Sequence, residues 1–331
     1  MAPEPTRRDL LRSGGLVIGG VLISGGIADV ALSPRTSPAL AAGPPTTGPE
    51  AGAAASVWRQ AARSLAHVKP PTFPHRTFDI TRYGALMGGT SKCTDSIREA
   101  ISACNAAGGG HVVVPAGTFL TGAIHLLSNV DLHLEKGATL AFSQDPNDYL
   151  PVVYTRWQGI ELMNYSPFIY AFEQENVGVT GEGTLDGQAD NDRWWPWKGS
   201  SSFGWQPGDP NQNADDALSQ QMADDAMPVE ERVFGAGHYL RPNLIQPYRC
   251  RNVVISGVTI LRSPMWEIHP VLSHNGTVRG VKVNSHVRVP RTAASRSAVG
   301  CTCRPAAATV GYPRGAWSAS QTGAQDVGID R

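Results

Sequence analysis

The sequence predicts an all-β fold: an incomplete right-handed parallel β-helix with an N-terminal capping helix. An internal repeat is the first reason. Asn252-Val253-Val254-Ile255-Ser256-Gly257-Val258-Thr259-Ile260 aligns without gaps to Asn275-Gly276-Thr277-Val278-Arg279-Gly280-Val281-Lys282-Val283, at an offset of 23 residues. Two further matches are the second reason: Asn176 to Thr184 follows the same template, and Asn129 to Leu134 follows its first half. Each unit pairs two short β-branched strands around a Gly, and self-similarity of this kind is the mark of stacked coils. The third reason is apolar patterning, which sets Val253, Ile255, Val258 and Ile260 facing inward. Asn at a fixed turn position suits left-handed backbone and can build side-chain ladders between coils. A β-sandwich with coincidental spacing is the weaker alternative, since four units match.

Taken in order, the chain opens with an address. Thr6-Arg7-Arg8-Asp9-Leu10-Leu11-Arg12, the apolar stretch Gly14 to Leu32 and the small-residue site Ala39-Leu40-Ala41 read as a twin-arginine export signal over residues 1–41. The expected location is therefore outside the cell. Residues 42–74, rich in Ala, Pro and Gly, read as a linker. Phe78-Asp79-Ile80 and Tyr83-Gly84-Ala85 begin the ordered domain, expected over residues 75–286. A helix follows, capped by Thr94 or Asp95, with Ile97, Ala100, Ile101 and Cys104 on one face. Gly108-Gly109-Gly110 ends it, and His111-Val112-Val113-Val114-Pro115 reads as a buried strand stopped by Pro.

The pattern breaks after His286. Residues 287–331 contain no Leu, Phe, Met, Asn, Lys, Glu or His, but six Arg and nine Ala. A change that abrupt inside a repeating unit is expected of GC-rich coding sequence read in the wrong frame. The tail lacks strand patterning and is expected to be disordered.

Bulk composition excludes some classes. At 331 residues with 41% hydrophobic content, one large β domain can bury a core. Zero net charge argues against a nucleic-acid partner, and no second long apolar stretch suggests membrane association once the signal is removed. The five Cys show no zinc-site spacing; buried free thiols are expected, with a Cys93–Cys104 bridge as the alternative. Neither a cofactor nor a metal is expected.

Several stretches together resemble glycoside hydrolase family 28, the polygalacturonase-like β-helix enzymes. They are Phe78-Asp79-Ile80-Thr81-Arg82-Tyr83-Gly84-Ala85 with Cys93-Thr94-Asp95-Ser96-Ile97, and Gly109 to Phe119. To these are added Gly181-Glu182-Gly183-Thr184-Leu185-Asp186-Gly187-Gln188 and Asn252 to Val271. The resemblance implies a secreted pectin-degrading glycosidase acting on galacturonan by inversion, monomeric when complete. It also implies aspartates in an N-x-D motif and a D-D pair, followed by G-H-G and R-x-K motifs. Inversion needs an acid and a base about 6.5–9.5 Å apart, with room for water between them. Stacked coils spaced about 4.8 Å apart can supply that separation.

None of those four motifs occurs after Val283-Asn284-Ser285-His286. No catalytic residue is therefore carried over, and this copy is expected to be incompetent, each positioned group being worth roughly 10²–10⁴-fold. Trp194, Trp195, Trp266 and His269 are the candidate substrate-binding residues, because aromatics stack on sugar rings and because Trp266 and His269 fall on the coil before the missing one. Packing against the core is the other reading of each. Asp215-Asp216 and Asp224-Asp225 are read as a solvated face, and Asp186 as a turn hydrogen-bonder. Two other functions stay open: a non-catalytic pectin-binding stub, and a Ca²⁺-dependent pectate lyase, the latter weakened by the lack of an acidic cluster on successive coils.

Overall fold

The computed structural model describes residues 68–285, with isolated positions 56, 59, 60 and 63 ahead of them. All lie in the second of two units, Ala53–Arg331. The expected signal over 1–41, most of the linker and the tail 287–331 fall outside the described residues. No described helix is long and apolar enough to cross a membrane.

The coils are built as the repeat predicts. A six-stranded parallel sheet stacks Thr77–Asp79, Gly110–Val114, Val130–Leu134, Glu175–Gly181, Arg251–Ser256 and His274–Arg279. A second sheet stacks Gly117–Thr121, Ala138–Phe142, Thr184–Asp186, Thr259–Leu261 and Lys282–Asn284. A third stacks Ile124–His125, Ile169–Phe172 and Ile245–Tyr248. The strand pairs within these three sheets are all parallel, and the coils form the expected right-handed parallel β-helix.

Register follows the sequence alignment residue for residue. Val253 faces Gly276, Val177 faces Val253, and Asp131 faces Gly178 across neighbouring strands. The offsets are thus 23, 76 and 47 residues, the same that align the four Asn-led units. Asn129, Asn176, Asn252 and Asn275 all have left-handed backbone, with φ of 64°, 54°, 54° and 55°. Their side chains form the expected ladder: Asn176 Nδ2 donates to Asn129 Oδ1 at 2.9 Å, Asn252 to Asn176 at 2.9 Å, and Asn275 to Asn252 at 2.7 Å. Beneath it runs an apolar column, with Val253, Ile255, Val258 and Ile260 between 0% and 6% exposed.

Helix α1 (Thr94–Ala106) covers the open end of the first coil with Ile97, Ala100, Ile101 and Cys104, the residues its periodicity selects. The expected cap is corrected. Cys93 occupies the N-cap position without a side-chain bond, and the Thr94 hydroxyl instead accepts from the Gly122 N–H at 2.7 Å. Cys93, Cys104 and Cys250 are free and buried.

Two long excursions interrupt the coils. One carries the antiparallel hairpin Val153–Trp157 and Ile160–Asn164. The other carries helix α2 (Asn213–Asp224) and the short strand Val233–Phe234, which pairs with Met163 and Asn164 of the hairpin. Both leave between a strand of the second sheet and one of the third, on successive coils, so the stacking brings them together.

The ladder should be measurable. Asn176→Ala deletes hydrogen bonds to both neighbouring coils and strains a positive φ, and is expected to cost about 2–4 kcal/mol in denaturant unfolding. Asn176→Gly keeps the backbone freedom and should cost about 1 kcal/mol less. Equal losses would show that the ladder bonds alone set the effect.

Candidate functional site

Where the two excursions meet they pack into a seam too tight to admit a water molecule, lined by Arg156, Asn164, Tyr165, Arg241, Asn243 and Gln246. Arg241 defines its electrostatics. Its side chain donates to Gln212 Oε1 at 2.9 Å and to the Pro264 carbonyl at 2.8 Å, and the residue is only 8% exposed. Burial pulls its pKa down to about 10. Among the described residues, no carboxylate lies within ion-pair distance of it. Lys198 is close enough to feel it: burial, then the Arg241 charge, lower the lysine's pKa. Asp216 is raised by burial, with Lys198 opposing.

A buried guanidinium is costly unless a counter-charge arrives. Arg241 is therefore a cationic point suited to an anionic guest, and a planar carboxylate is the match for a guanidinium fork. Two further polar atoms, Asn164 Oδ1 and Gln246 Nε2, are buried without a partner.

The next coil packs alongside. The bridge between Ile245 and Ile268 fixes an offset of 23, which stacks Trp266 on Asn243 and His269 on Gln246. Both Trp266 and His269 are half-buried, with their rings 4.4 Å apart edge to face. Asn243 Nδ2 donates to His269 Nδ1 at 2.9 Å, which leaves the imidazole proton on Nε2. Burial, and secondarily Arg156, lower the pKa of His269 to about 4.

Trp194 and Trp195 lie deeper than their neighbours. They are 3% and 6% exposed and belong to the main core, and Trp195 Nε1 donates to the Ser263 carbonyl at 2.9 Å. The half-buried Trp197 and Tyr239 lie above them, with Trp197 5.0 Å from Trp194, 5.1 Å from Tyr239 and 6.0 Å from the buried Tyr165. Reasoning from sequence missed Arg241, Lys198 and Asn243, because no motif marks them and only the meeting of two insertions makes them neighbours.

The carboxylates divide. Asp215 is corrected from the solvated face: it is 8% exposed and accepts from His238 Nδ1 at 2.8 Å and from the Tyr239 N–H at 2.6 Å. It anchors the loop beneath the seam. Asp224 and Asp225 are exposed as expected. Asp186 makes the expected turn bond from the Gln188 N–H at 3.0 Å, and it also accepts from Arg262 Nε at 2.8 Å.

Comparison with known proteins gives one consistent answer. No protein-family model matches the chain. A hyperthermoactive exopolygalacturonase from Thermotoga maritima is similar in structure, with a TM-score of 0.67 and 51% identity over 69% of this chain and 51% of that one. A probable polygalacturonase of Vitis vinifera is 29% identical over 223 residues, which are 64% of this chain and 38% of the relative. An exo-poly-α-D-galacturonosidase of Dickeya chrysanthemi is 34% identical over 120 residues, 34% of this chain and 19% of the relative. The chain therefore spans about half, or less, of the length of these relatives.

The state of His269 has a pH signature. Its folded pKa lies below the ordinary 6.5, so stability is full above about pH 6.5. It falls as pH drops from there toward 4, where only the unfolded chain gains the proton. Thermal unfolding of wild type and His269→Asn across this range should differ by ~1–3 kcal/mol at the acid end, with the variant flatter.

Proposed function

We propose that this chain, whose coils resemble the polygalacturonases of glycoside hydrolase family 28, carries a polygalacturonase-type scaffold for holding pectic galacturonan. Its proton-handling carboxylates are missing. One observation carries the binding half: a buried Arg241 without a carboxylate partner, beside Lys198. If the two excursions part, a galacturonate carboxylate would supply the missing charge, accepting from the guanidinium as charge-assisted hydrogen bonds do. Trp266 offers its half-buried ring to a pyranose face, and His269, neutral and donating from Nε2, is available to a sugar hydroxyl. Trp194 and Trp195 act from beneath, holding Trp197 and the loop in place.

The reading of incompetence rests on the sequence. Residues 287–331 hold only Asp326 and Asp330 as side-chain carboxylates, and none of the expected motifs. The origin favoured here is a shifted reading frame near codon 286, and a one-base change restoring N-x-D, D-D, G-H-G and R-x-K downstream would establish it. Export by the twin-arginine route, read from Arg7 and Arg8, would bring the scaffold to an extracellular polysaccharide. The pectin-binding stub is this same proposal seen from its product; the Ca²⁺-dependent lyase finds no supporting feature in the seam.

Two measurements test the halves separately. Reducing-end release from polygalacturonate by the full chain should stay at the buffer background; release above it would show that a catalytic pair exists. Retardation in polygalacturonate-containing native gels should be clear for wild type. It should weaken about tenfold or more in Lys198→Met and in Arg241→Gln, the cost of losing a desolvated charge. Equal retardation of wild type and Lys198→Met would remove the seam from the binding site.

A further inference from the structure

A second cluster of chemistry lies far from the seam in the chain, on the outward face of the six-stranded sheet. His111 on Gly110–Val114, Asp131 and His133 on Val130–Leu134, and Thr180 on Glu175–Gly181 come from three successive coils. His111 Nδ1 lies 2.8 Å from Asp131 Oδ2, and His133 Nδ1 lies 3.8 Å from it. One ligand atom from each of His111, Asp131 and His133 falls within 4.8 Å of the others. Thr180 Oγ1 donates to Asp131 Oδ2 at 2.7 Å and lies 2.8 Å from His133 Nδ1.

Asp131 is the anomaly. An outward-facing strand position in the first coils should be wet, yet the residue is 1% exposed and its Oδ1 has no hydrogen-bond partner. Two features bury it. Gly178 stands opposite in register, where a Cβ would come within 2.4 Å of Oδ1 and 3.0 Å of the Phe73 ring. Phe73 itself sets its ring 5.8 Å from that of His111, edge to face. The segment that brings Phe73 here is also tied to the sheet further along, where Asn275 Nδ2 donates to the Lys69 carbonyl at 2.9 Å. Oδ1 faces Gly178 and Phe73 while Oδ2 faces both imidazoles, so a carboxylate buried this deeply is costly unless positive charge is shared with it from the Oδ2 side.

We propose that His111, Asp131 and His133 form a binding site for a borderline divalent transition ion, Zn²⁺ being the representative case. Two imidazoles and one carboxylate match the preferences of such ions, whereas Ca²⁺ and Mg²⁺ take mostly oxygen ligands. Both histidines reach the carboxylate through Nδ1, so each needs only to carry its proton on Nε2 instead. The half-exposed histidines leave a path from solvent and room for water on the remaining positions. A bound ion would pin the first two coils through its ligands, with Thr180 holding the carboxylate from the third.

The test uses the untagged full chain. After incubation with Zn²⁺ and dialysis, elemental analysis should find about one equivalent retained, and the unfolding midpoint should rise by several degrees, as ligand linkage requires. Ca²⁺ and Mg²⁺ should do neither. His133→Gln, at a side chain 40% exposed, should keep the metal-free midpoint and weaken Zn²⁺ binding at least about tenfold. Absence of retained Zn²⁺, or equal retention by the His111→Gln/His133→Gln double variant, would overturn the proposal and leave a hydrogen-bond network only.

Discussion

Everything in this molecule depends on one constraint: each coil must stack on the one before it in strict parallel register. Backbone hydrogen bonds alone tolerate slippage, since a parallel ladder looks much the same after a shift of two residues. Side chains remove that freedom. The Asn ladder joins Asn129, Asn176, Asn252 and Asn275 at one turn, and Gly181 and Gly257 keep the facing turn bare where the backbones approach. A Cβ on Gly257 would stand 2.3 Å from the Gly181 carbonyl oxygen, so the two coils could not close on any larger residue there. Between these two lines of turns the apolar column packs through Ile260, and its next member, Val283 on the last described strand, is 53% exposed.

Strict stacking turns chain insertions into architecture. Because both excursions leave at equivalent corners of consecutive coils, they have nowhere to go but against each other. The seam around Arg241 is the result, and its chemistry follows from its dryness. A guanidinium is held in a closed seam whose polar lining is not fully paired, while the well-buried Asp215 is committed to His238 and Tyr239. Positive charge is thus left over where the surface folds inward. The opposite holds on the outer face of the six-stranded sheet, where Asp131 is the buried charge and two imidazoles are its neighbours. Both places gain their character from burial of a charge that a flat β surface would have left in water.

Legibility in the sequence tracks how local the cause is. Helix α1 was readable to the residue on its buried face because a 3.6-residue period needs no partner to be visible. Its cap was not, since whether the Thr94 hydroxyl serves its own helix or Gly122 depends on where the next coil passes. Asp215 looked solvated because its flanks are polar, and only the return of the loop at His238 and Tyr239 buries it. Trp194 and Trp195 illustrate the same limit: a Trp-rich loop advertises aromatic surface, but which rings turn inward is decided by the space beneath them.

The coil, its turn chemistry and its register are written in the residues alone, because a repeating unit makes the same short-range demands again and again. The residues also show that the carboxylate motifs of the resembling family are absent after His286, since an absence of residue types needs no fold to be seen. Tertiary structure alone decided which side chains meet. Arg241 and Lys198, or His111 and Asp131, are separated by tens of residues, and their encounter is set by insertion lengths and stacking that no local pattern records.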